Sequence, residues 1–317
     1  MAAVTPAALK IAFEQIATDW WTAYKKPTLT AERFAKVTPM GTEYMLQAWM
    51  QMIPKAKLWN GPRTPFNPAA LTWETQAAPY VLDLEIDRFK FLDDAYMHGV
   101  FQPALEMMAL QCRKLVDYGV RDILANGATY SKVPCFDGKA LFATDHPIDP
   151  YGLVSGTYQN YYASGYDLTP ANFATVYQNM VAIKGPDGEP MGIRPNLLIT
   201  GPANIIKASQ VLNSTFFAPQ TFGGTTNVGA QDNILKGLCD IVVMPELATD
   251  SANPWFLVDS NMPIKPIVIG ERMAPELLMI TDPTHPYVLE RNAYRMTATM
   301  RYVFSSGIPW LIARAQA

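Results

Sequence analysis

The stretch that decides the fold runs from Asp93 to Gly127 and reads DDAYMHGVFQPALEMMALQCRKLVDYGVRDILANG. Met97, Phe101, Leu105, Met108, Cys112, Leu115, Gly119 and Ile123 recur at spacings of three and four, one continuous apolar stripe along a helix. Asp93-Asp94 suits the positive end of the helix dipole, and one of the pair can cap the first turn. Asn126-Gly127 is a stop signal. Asp94 to Ala125 is thirty-two residues, or roughly 48 Å at 1.5 Å per residue. The mean globular helix has only about 11–12 residues. Pro103 either bends this helix or marks its true start after an irregular first turn.

Upstream of this helix, Leu82-Asp83-Leu84-Glu85-Ile86-Asp87 alternates apolar and charged, the period-two pattern of a strand with one wet face. Trp59, Gly61, Pro62, Pro65, Pro68 and Pro79 break any helix between residues 55 and 92. The segments 72–76 and 80–91 can both extend, which predicts a long hairpin projecting from the body. An isolated two-stranded ribbon is marginal in water, so this one is expected to lean on something else.

At the N-terminus, Thr5 can cap a helix with Pro6 at its first position. Leu9, Phe13, Ile16, Trp20 and Tyr24 form its stripe, and Lys25-Lys26-Pro27 ends it. Thr38-Pro39 to Ile53 is expected as a second helix, with Met45, Trp49 and Met52 on one side.

Downstream, residues 128–165 are rich in loop formers. Thr169-Pro170 starts another helix, striped by Phe173, Val176, Tyr177, Met180 and Ile183 and closed by Gly185-Pro186-Asp187-Gly188. Short buried strands are expected at 196–200, 241–244, 255–258 and 267–269, with a helix from Gly201-Pro202 through Leu212. Tyr294 to Phe304 and Pro309 to Ala315 are extended. Strands mixed with helices in this way argue an α+β fold.

Composition narrows the function classes. The 317 residues carry 25 Lys and Arg against 28 Asp and Glu, a formal charge of −3, which excludes a generally basic nucleic-acid-coating protein. Only 17% of residues are charged, below the roughly 25% typical of soluble domains. A chain this large with so few charges displays much neutral surface or buries it against partners. No uninterrupted apolar run exceeds four residues, against the ~20 that a membrane-spanning helix needs. The N-terminus lacks the basic start and apolar stretch of a secretory signal. Cys112, Cys135 and Cys239 are odd in number and widely spaced, which fits a reducing compartment and offers no zinc site.

Catalytic motifs are scarce. No nucleophile elbow, phosphate-binding loop, dinucleotide fingerprint or His-Glu-x-x-His is present. Asp94 and His98 lie four apart, where a helix-surface ion pair is the plainer reading than a metal site without a third ligand. Cys135, Asp145 and His146 could form a hydrolase site, with Asp145 orienting His146 as base and Cys135 as nucleophile. Adjacent residues rarely point the right way for that, and Asp137-Gly138 and His146-Pro147 are turn-forming pairs. His285-Pro286 is most simply a loop, and Gly223-Gly224-Thr225-Thr226 lacks the lysine of a phosphate loop. The tryptophans are spread through every segment and serve core or subunit contacts by default. No catalytic residue, cofactor or metal is expected.

The order of parts is an arm, a hairpin, a very long helix, an α+β body and an extended return. It resembles that of tailed-phage major capsid proteins with the Hong Kong 97 fold. Local strings narrow the resemblance to the Mu-like phage major head subunit family. They are Trp59-Asn60-Gly61-Pro62-Arg63, then Arg88 with Asp93-Asp94, then Phe136 to Phe142 with Thr144-Asp145-His146-Pro147. Gly188-Glu189-Pro190-Met191 with 195–199, and Trp255-Phe256-Leu257 with Lys265-Pro266 and Arg272, continue the match.

The resemblance implies an N-terminal arm (1–54), an E-loop hairpin (55–92) and a peripheral domain with its spine helix (93–165). An axial domain (166–284) and a C-terminal return (285–317) to the peripheral domain complete it. It implies an icosahedral head around double-stranded DNA, built from pentamers and hexamers by head-to-tail contacts. Scaffold, portal and decoration proteins are the further partners, DNA is touched non-specifically, and assembly takes place in the host cytoplasm. None of the matched residues is catalytic in such a family.

The reading is that Trp59, Arg63 and Trp73 of the hairpin dock on a neighbour's spine helix, with Arg88 a further contact. A start at Met1 leads to the expectation of no cleaved scaffolding segment and of a separate scaffold. The alternatives are the hydrolase above, a tail or sheath component, and an encapsulin-like compartment on the same fold.

Overall fold

The computed structural model describes residues 6–50, 70–97, 101–151, 154–217, 221–222, 225–226 and 231–317. In chain order the main elements are α1 (Pro6–Lys25), β1 (Ala35–Pro39), β2 (Tyr44–Met50), β3 (Ala70–Gln76), β4 (Ala78–Asp87), α2 (Arg88–Met97) and α3 (Phe101–Asn126). Then come β5 (Tyr161–Tyr162), α4 (Pro170–Val181), β6 (Leu197–Thr200), α5 (Ile205–Leu212), β7 (Asp240–Val243) and β8 (Trp255–Val258). The chain ends through β9 (Ile267–Ile280), α6 (Pro286–Arg291), β10 (Ala293–Ser306) and β11 (Ile312–Ala315).

The long apolar stripe is helical wherever it is described, and residues 98–100 within it lie outside the described residues. α3 has 26 residues, about 39 Å. Pro103 lies within α3. Asp93 and Asp94 belong instead to α2, which starts where β4 ends. Its first turn is capped by Asp87, whose Oδ1 accepts from the Lys90 N–H at 3.0 Å. The strand expected through residue 91 therefore stops at Asp87.

One side of α3 lies on a four-stranded sheet of order β1-β9-β10-β4. β9 and β10 form a long antiparallel pair, β4 joins the far edge antiparallel to β10, and β1 adds to the near edge parallel to β9. Alternate residues of β10 (Met296, Ala298, Met300, Tyr302) are buried, while Arg295, Thr297, Thr299 and Arg301 reach outward. Gly119 of α3 makes this packing close, because a Cβ there would run into the ring of Phe304.

The other side of α3 is occupied by the chain's own arm. Trp20 and Tyr24 of α1 are buried with Met108, Cys112, Val116 and Val120, and Arg113 stacks over Tyr24. Asp117, buried in mid-helix, accepts the Ala31 N–H at 2.9 Å and the Thr30 N–H at 3.4 Å. It thus fastens the turn that leads from α1 into β1. The proposed Thr5 cap lies outside the described residues.

A second sheet has the order β7-β6-β8-β11-β5. Its inner strands are buried on both faces and read as short apolar runs. Leu197, Ile199, Phe256, Val258 and Ile312 face the α3 side. Leu198, Trp255, Leu257, Ala313 and Ala315 face α4 and α5. The Thr169 hydroxyl accepts from the Asn172 N–H and caps α4 as the Thr-Pro pair predicts. The two sheets cut across the blocks expected from the sequence. β9 and β10 pair with each other in the first sheet although they fall on opposite sides of residue 284, while β11 lies in the second sheet between β8 and β5.

Two expectations about the N-terminal third are corrected. The helix expected from Thr38-Pro39 to Ile53 is not formed over the described part, to Met50, and 51–53 lie outside the described residues. Ala35–Pro39 and Tyr44–Met50 are strands. The spacing of Met45, Trp49 and Met52 mimicked a helical stripe, but burial alternates, with Tyr44 and Leu46 exposed and Met45 buried. The hairpin is not 72–76 with 80–91 either. β3 pairs antiparallel with β2, from Tyr44 opposite Gln76 to Met50 opposite Ala70, whereas β4 belongs to the four-stranded sheet.

Candidate assembly surfaces

The β2–β3 ribbon is the least enclosed element described. Its strands pair with each other alone, as a two-stranded sheet. Its root sits in a small cluster of Met45, Ala77 and Val303 with Met40 and Val268. Gly270 leaves room there for the Met40 sulfur, which would have to move to admit a Cβ. Methionine fills such irregular gaps softly.

Trp73 rests on this chain's own Phe136, ring centroids 5.7 Å apart. Phe136 meets Trp310 edge-on at 6.1 Å, Trp310 meets Tyr158, and Tyr158 stacks on His146 at 5.1 Å. Thr75 bonds Ser305, and the Leu71 backbone bonds the Tyr151 phenol. So the ribbon projects less than expected and lies along its own body over 71–75. Trp59 and Arg63 lie outside the described residues. Arg88 opens α2, half-buried, with its backbone N–H on the Asn292 carbonyl at 2.8 Å.

His146 and its partners form a buried fastening. Its Nδ1 stands 2.6 Å from Asp137 Oδ2 and its Nε2 3.3 Å from the Leu141 carbonyl, with both side chains of the pair sealed from solvent. The expected partner, Asp145, is not involved. Asp145 is at the surface and pairs with Lys139, because adjacent side chains point apart along an extended backbone. The Lys139 pair holds the Asp145 carboxyl below the usual range.

Cys135 is buried, with its Sγ toward the Gly307 carbonyl at 3.7 Å, and burial pushes its thiol far up. A thiolate nucleophile needs the opposite environment, exposed and electropositive. The sequence found His146 but not Asp137. Asp137-Gly138 was visible only as a turn, and that turn aims the carboxylate back at the ring.

Among the described residues no group of three metal-ligating side chains occurs. No helix among them is long and apolar enough to cross a membrane. His98 and Gly223-Gly224 lie outside the described residues, as does the Asp94 side chain. Thr225–Thr226 is a two-residue strand. His285 is the N-cap of α6, its Nδ1 accepting from the Tyr287 N–H at 3.2 Å.

Exposed apolar side chains gather in two further places. Val81 and Leu278 stand on the outer face of the four-stranded sheet. Ile205 and Ile206 open α5, and Ile234 and Leu238 lie in the segment before β7, Ile206 72% and Ile234 85% exposed. Exposed apolar groups of this kind mark contact surfaces.

A long helix, a two-stranded ribbon and two larger sheets in an α+β body are the parts of a phage-capsid fold of the Hong Kong 97 type. The solved procapsid of bacteriophage JBD30 superposes with a TM-score of 0.61 at 19% identity, over 99% of this chain and 76% of that one. The model of the Mu-like prophage major head subunit gpT family matches residues 9–158, 151–247 and 241–317. The chain therefore belongs to that family. It is 26% identical over 154 residues to the major capsid protein of Escherichia phage Mu, covering 49% of this chain and 48% of that one. It is 28% identical over 159 residues to the FluMu prophage major head subunit of Haemophilus influenzae, covering 50% and 49%. The chain spans about half the length of the curated relatives it matches.

Proposed function

We propose that the chain is the repeating subunit of an icosahedral phage head that encloses double-stranded DNA and so becomes part of the virion. The observation that carries this reading is the ribbon. It is paired to nothing but itself and stands beside sheet faces that keep apolar side chains in solvent. A two-stranded ribbon gains stability when it is covered, and copies of the same chain are the simplest cover. In this reading residues 1–43 act as the arm, drawn in from 1–54 because β2 belongs to the ribbon, with the β2–β3 ribbon as the E-loop and α3 as the spine helix. The second sheet serves as the axial domain.

Pentamers and hexamers form by head-to-tail contacts, with Trp59 and Arg63 meeting a neighbour and Trp73 holding the ribbon's root. Arg88 is a further contact. A scaffold, a portal and decoration proteins complete the head, which is assembled in the host cytoplasm. The charge of −3 keeps contacts with packaged phosphate weak and non-specific. No catalytic step is assigned, and Cys135 and His146 do structural work.

Electron microscopy of the purified, concentrated protein tests the reading. Closed shells of uniform curvature are the expected result. Tubes would point to a tail or sheath component, and a monodisperse monomer at high concentration would overturn the proposal.

A further inference from the structure

Both ring nitrogens of His146 face acceptors. Nδ1 stands 2.6 Å from Asp137 Oδ2, and Nε2 stands 3.3 Å from the Leu141 carbonyl oxygen. Neither acceptor is free to turn away. Asp137 Oδ1 takes the Lys139 N–H at 3.1 Å, and the turn that carries it is closed by the Gly138 N–H on the Cys135 carbonyl and the Cys135 N–H on the Lys139 carbonyl. Asn160 Nδ2 donates to the Leu141 carbonyl at 2.8 Å and is itself anchored on the Pro309 carbonyl. The pair is sealed, with the His146 side chain 0% and the Asp137 side chain 1% exposed.

Two such contacts need two protons. A neutral imidazole beside a carboxylate has one, so one contact would set lone pair against lone pair in a buried place. The pattern is complete only with a further proton. Imidazole is ordinarily the stronger base of the two, which places that proton on the ring and makes the pair imidazolium and carboxylate. The surrounding groups do not compete for it. Cys135 lies on the same turn and Tyr158 stacks on the ring at 5.1 Å. Burial first, and Asp137 second, raise both the thiol and the phenol, so each stays neutral. Asp145 and Lys139 pair with each other at the surface, and the Ser306 hydroxyl at the end of β10 donates to the Pro134 carbonyl.

The ribbon is seated on this same turn. Phe136, next to Asp137, carries Trp73 of β3, and Trp310 meets both Phe136 and Tyr158 edge-on. Thr75 bonds Ser305, next to Ser306.

We infer that the His146–Asp137 pair is a proton-operated latch for the root of the ribbon. With both ring protons bound, the turn from 134 to 147 is pinned and Trp73 is seated. With one lost, a fixed acceptor is left facing a lone pair, and the turn and ribbon root loosen together. An ordinary imidazole gives up its proton near pH 6.5, roughly. Below that, folded and unfolded chains both hold it. Above it the unfolded chain has lost it, and the folded chain must keep it or surrender a contact. The latch is therefore complete at mildly acid pH and weakens as pH rises. It belongs to one subunit, so it stands or falls apart from the shell reading.

Two measurements on the full, unassembled chain test it. The protein has three histidines, so His98→Gln with His285→Gln leaves His146 alone, and nitrogen-15 NMR of the imidazole counts its protons. Both nitrogens should be protonated at pH 6, with one proton leaving as pH is raised toward 9. Over the same range hydrogen exchange across 44–50 and 70–76, corrected for the intrinsic rate, should rise several-fold while β8 and β11 keep their protection. A ring with a single proton from pH 5.5 to 9 would overturn the inference. So would loss of the second proton with no change in ribbon exchange. His146→Gln can meet only one of the two acceptors. It should show fast ribbon exchange already at pH 6 and lose the pH dependence, and slow exchange there counts against the latch. If that variant does not fold, the titration of the His146-only chain decides without it.

Discussion

The C-terminal strand β11 and the β2–β3 ribbon are both thin, and the molecule treats them in opposite ways. All four residues of β11 are buried. Within it Arg314 donates to the Leu124 and Ala125 carbonyls at 3.0 and 2.8 Å, closing the C-terminal end of α3. The same guanidinium lies over Phe142, Tyr161 and Phe256, bonds Gln316 at 2.9 Å and faces Asp250 at 3.6 Å. The ribbon has a methionine-lined root, one aromatic contact through Trp73, and an outward face with Tyr44 48% and Leu46 62% exposed. The difference separates what one chain completes from what it leaves for an assembly. β11 has its partners inside the subunit, while the ribbon has about half of them.

The sharpest way to break this contrast is to remove the inner hub. Arg314→Ala leaves helix carbonyls and Asp250 buried without their cation. A loss of about 3–5 kcal/mol is expected, the cost of truncating one partner of a buried charged network. Urea unfolding of the unassembled subunit measures it. A loss under about 1 kcal/mol would mean that α3 and the second sheet are joined by packing alone.

Trp73→Ala probes the other member of the pair and should act locally. The lost aromatic contact is worth about 0.5–1.5 kcal/mol. Hydrogen exchange should rise across 44–50 and 70–76 while the amides of β6, β8 and β11 keep their protection. Equal loosening of both regions would show that ribbon and body unfold as one unit, and the contrast would fall.

How much of this was legible follows the same division. Elements sealed within the chain were readable. The Thr169-Pro170 start of α4, the buried runs at 197–200 and 255–258 and the stripe on α3 carry their own burial pattern. Elements whose partners lie far off in sequence were not. The helical spacing of Met45, Trp49 and Met52 equally permits a strand, and only pairing with 70–76, set by tertiary context, decides it. The helix expected from Asp94 begins earlier, at Arg88, because Asp87 caps it, and the chain is helical again from Phe101, with 98–100 outside the described residues. His146 was singled out with the wrong carboxylate, since neighbours in sequence were weighed and a turn nine residues back supplied the partner. The arm's place on its own α3 rests on Asp117, which sits on the helix like any polar residue until residues 30 and 31 are seen to meet it.

Asp117 gives the smallest expected effect and the one that tests whether the arm belongs with the sealed or the open part. Burial raises its carboxyl above the ordinary value, more than the two backbone N–H donors lower it, and Glu246 and Glu32 push the same way. The folded chain then binds this proton more readily than the unfolded chain. By linkage, stability from this group grows as pH falls through the folded value and is complete below the unfolded value of about 3.9. At neutral pH the ionised form instead carries the cost of burial. Asp117→Asn keeps an acceptor for the Ala31 N–H and removes the titration. It should match the parent within about 1 kcal/mol at pH 7, the scale of one hydrogen bond. The parent should gain on the variant as pH is lowered from 7 toward the ordinary carboxyl value of about 4. Thermal melts of both proteins across that range, compared pairwise so that all other groups cancel, measure the gain. Parallel curves would show the Asp117 clamp already open to water, placing the arm with the ribbon among the parts that only a neighbouring copy completes.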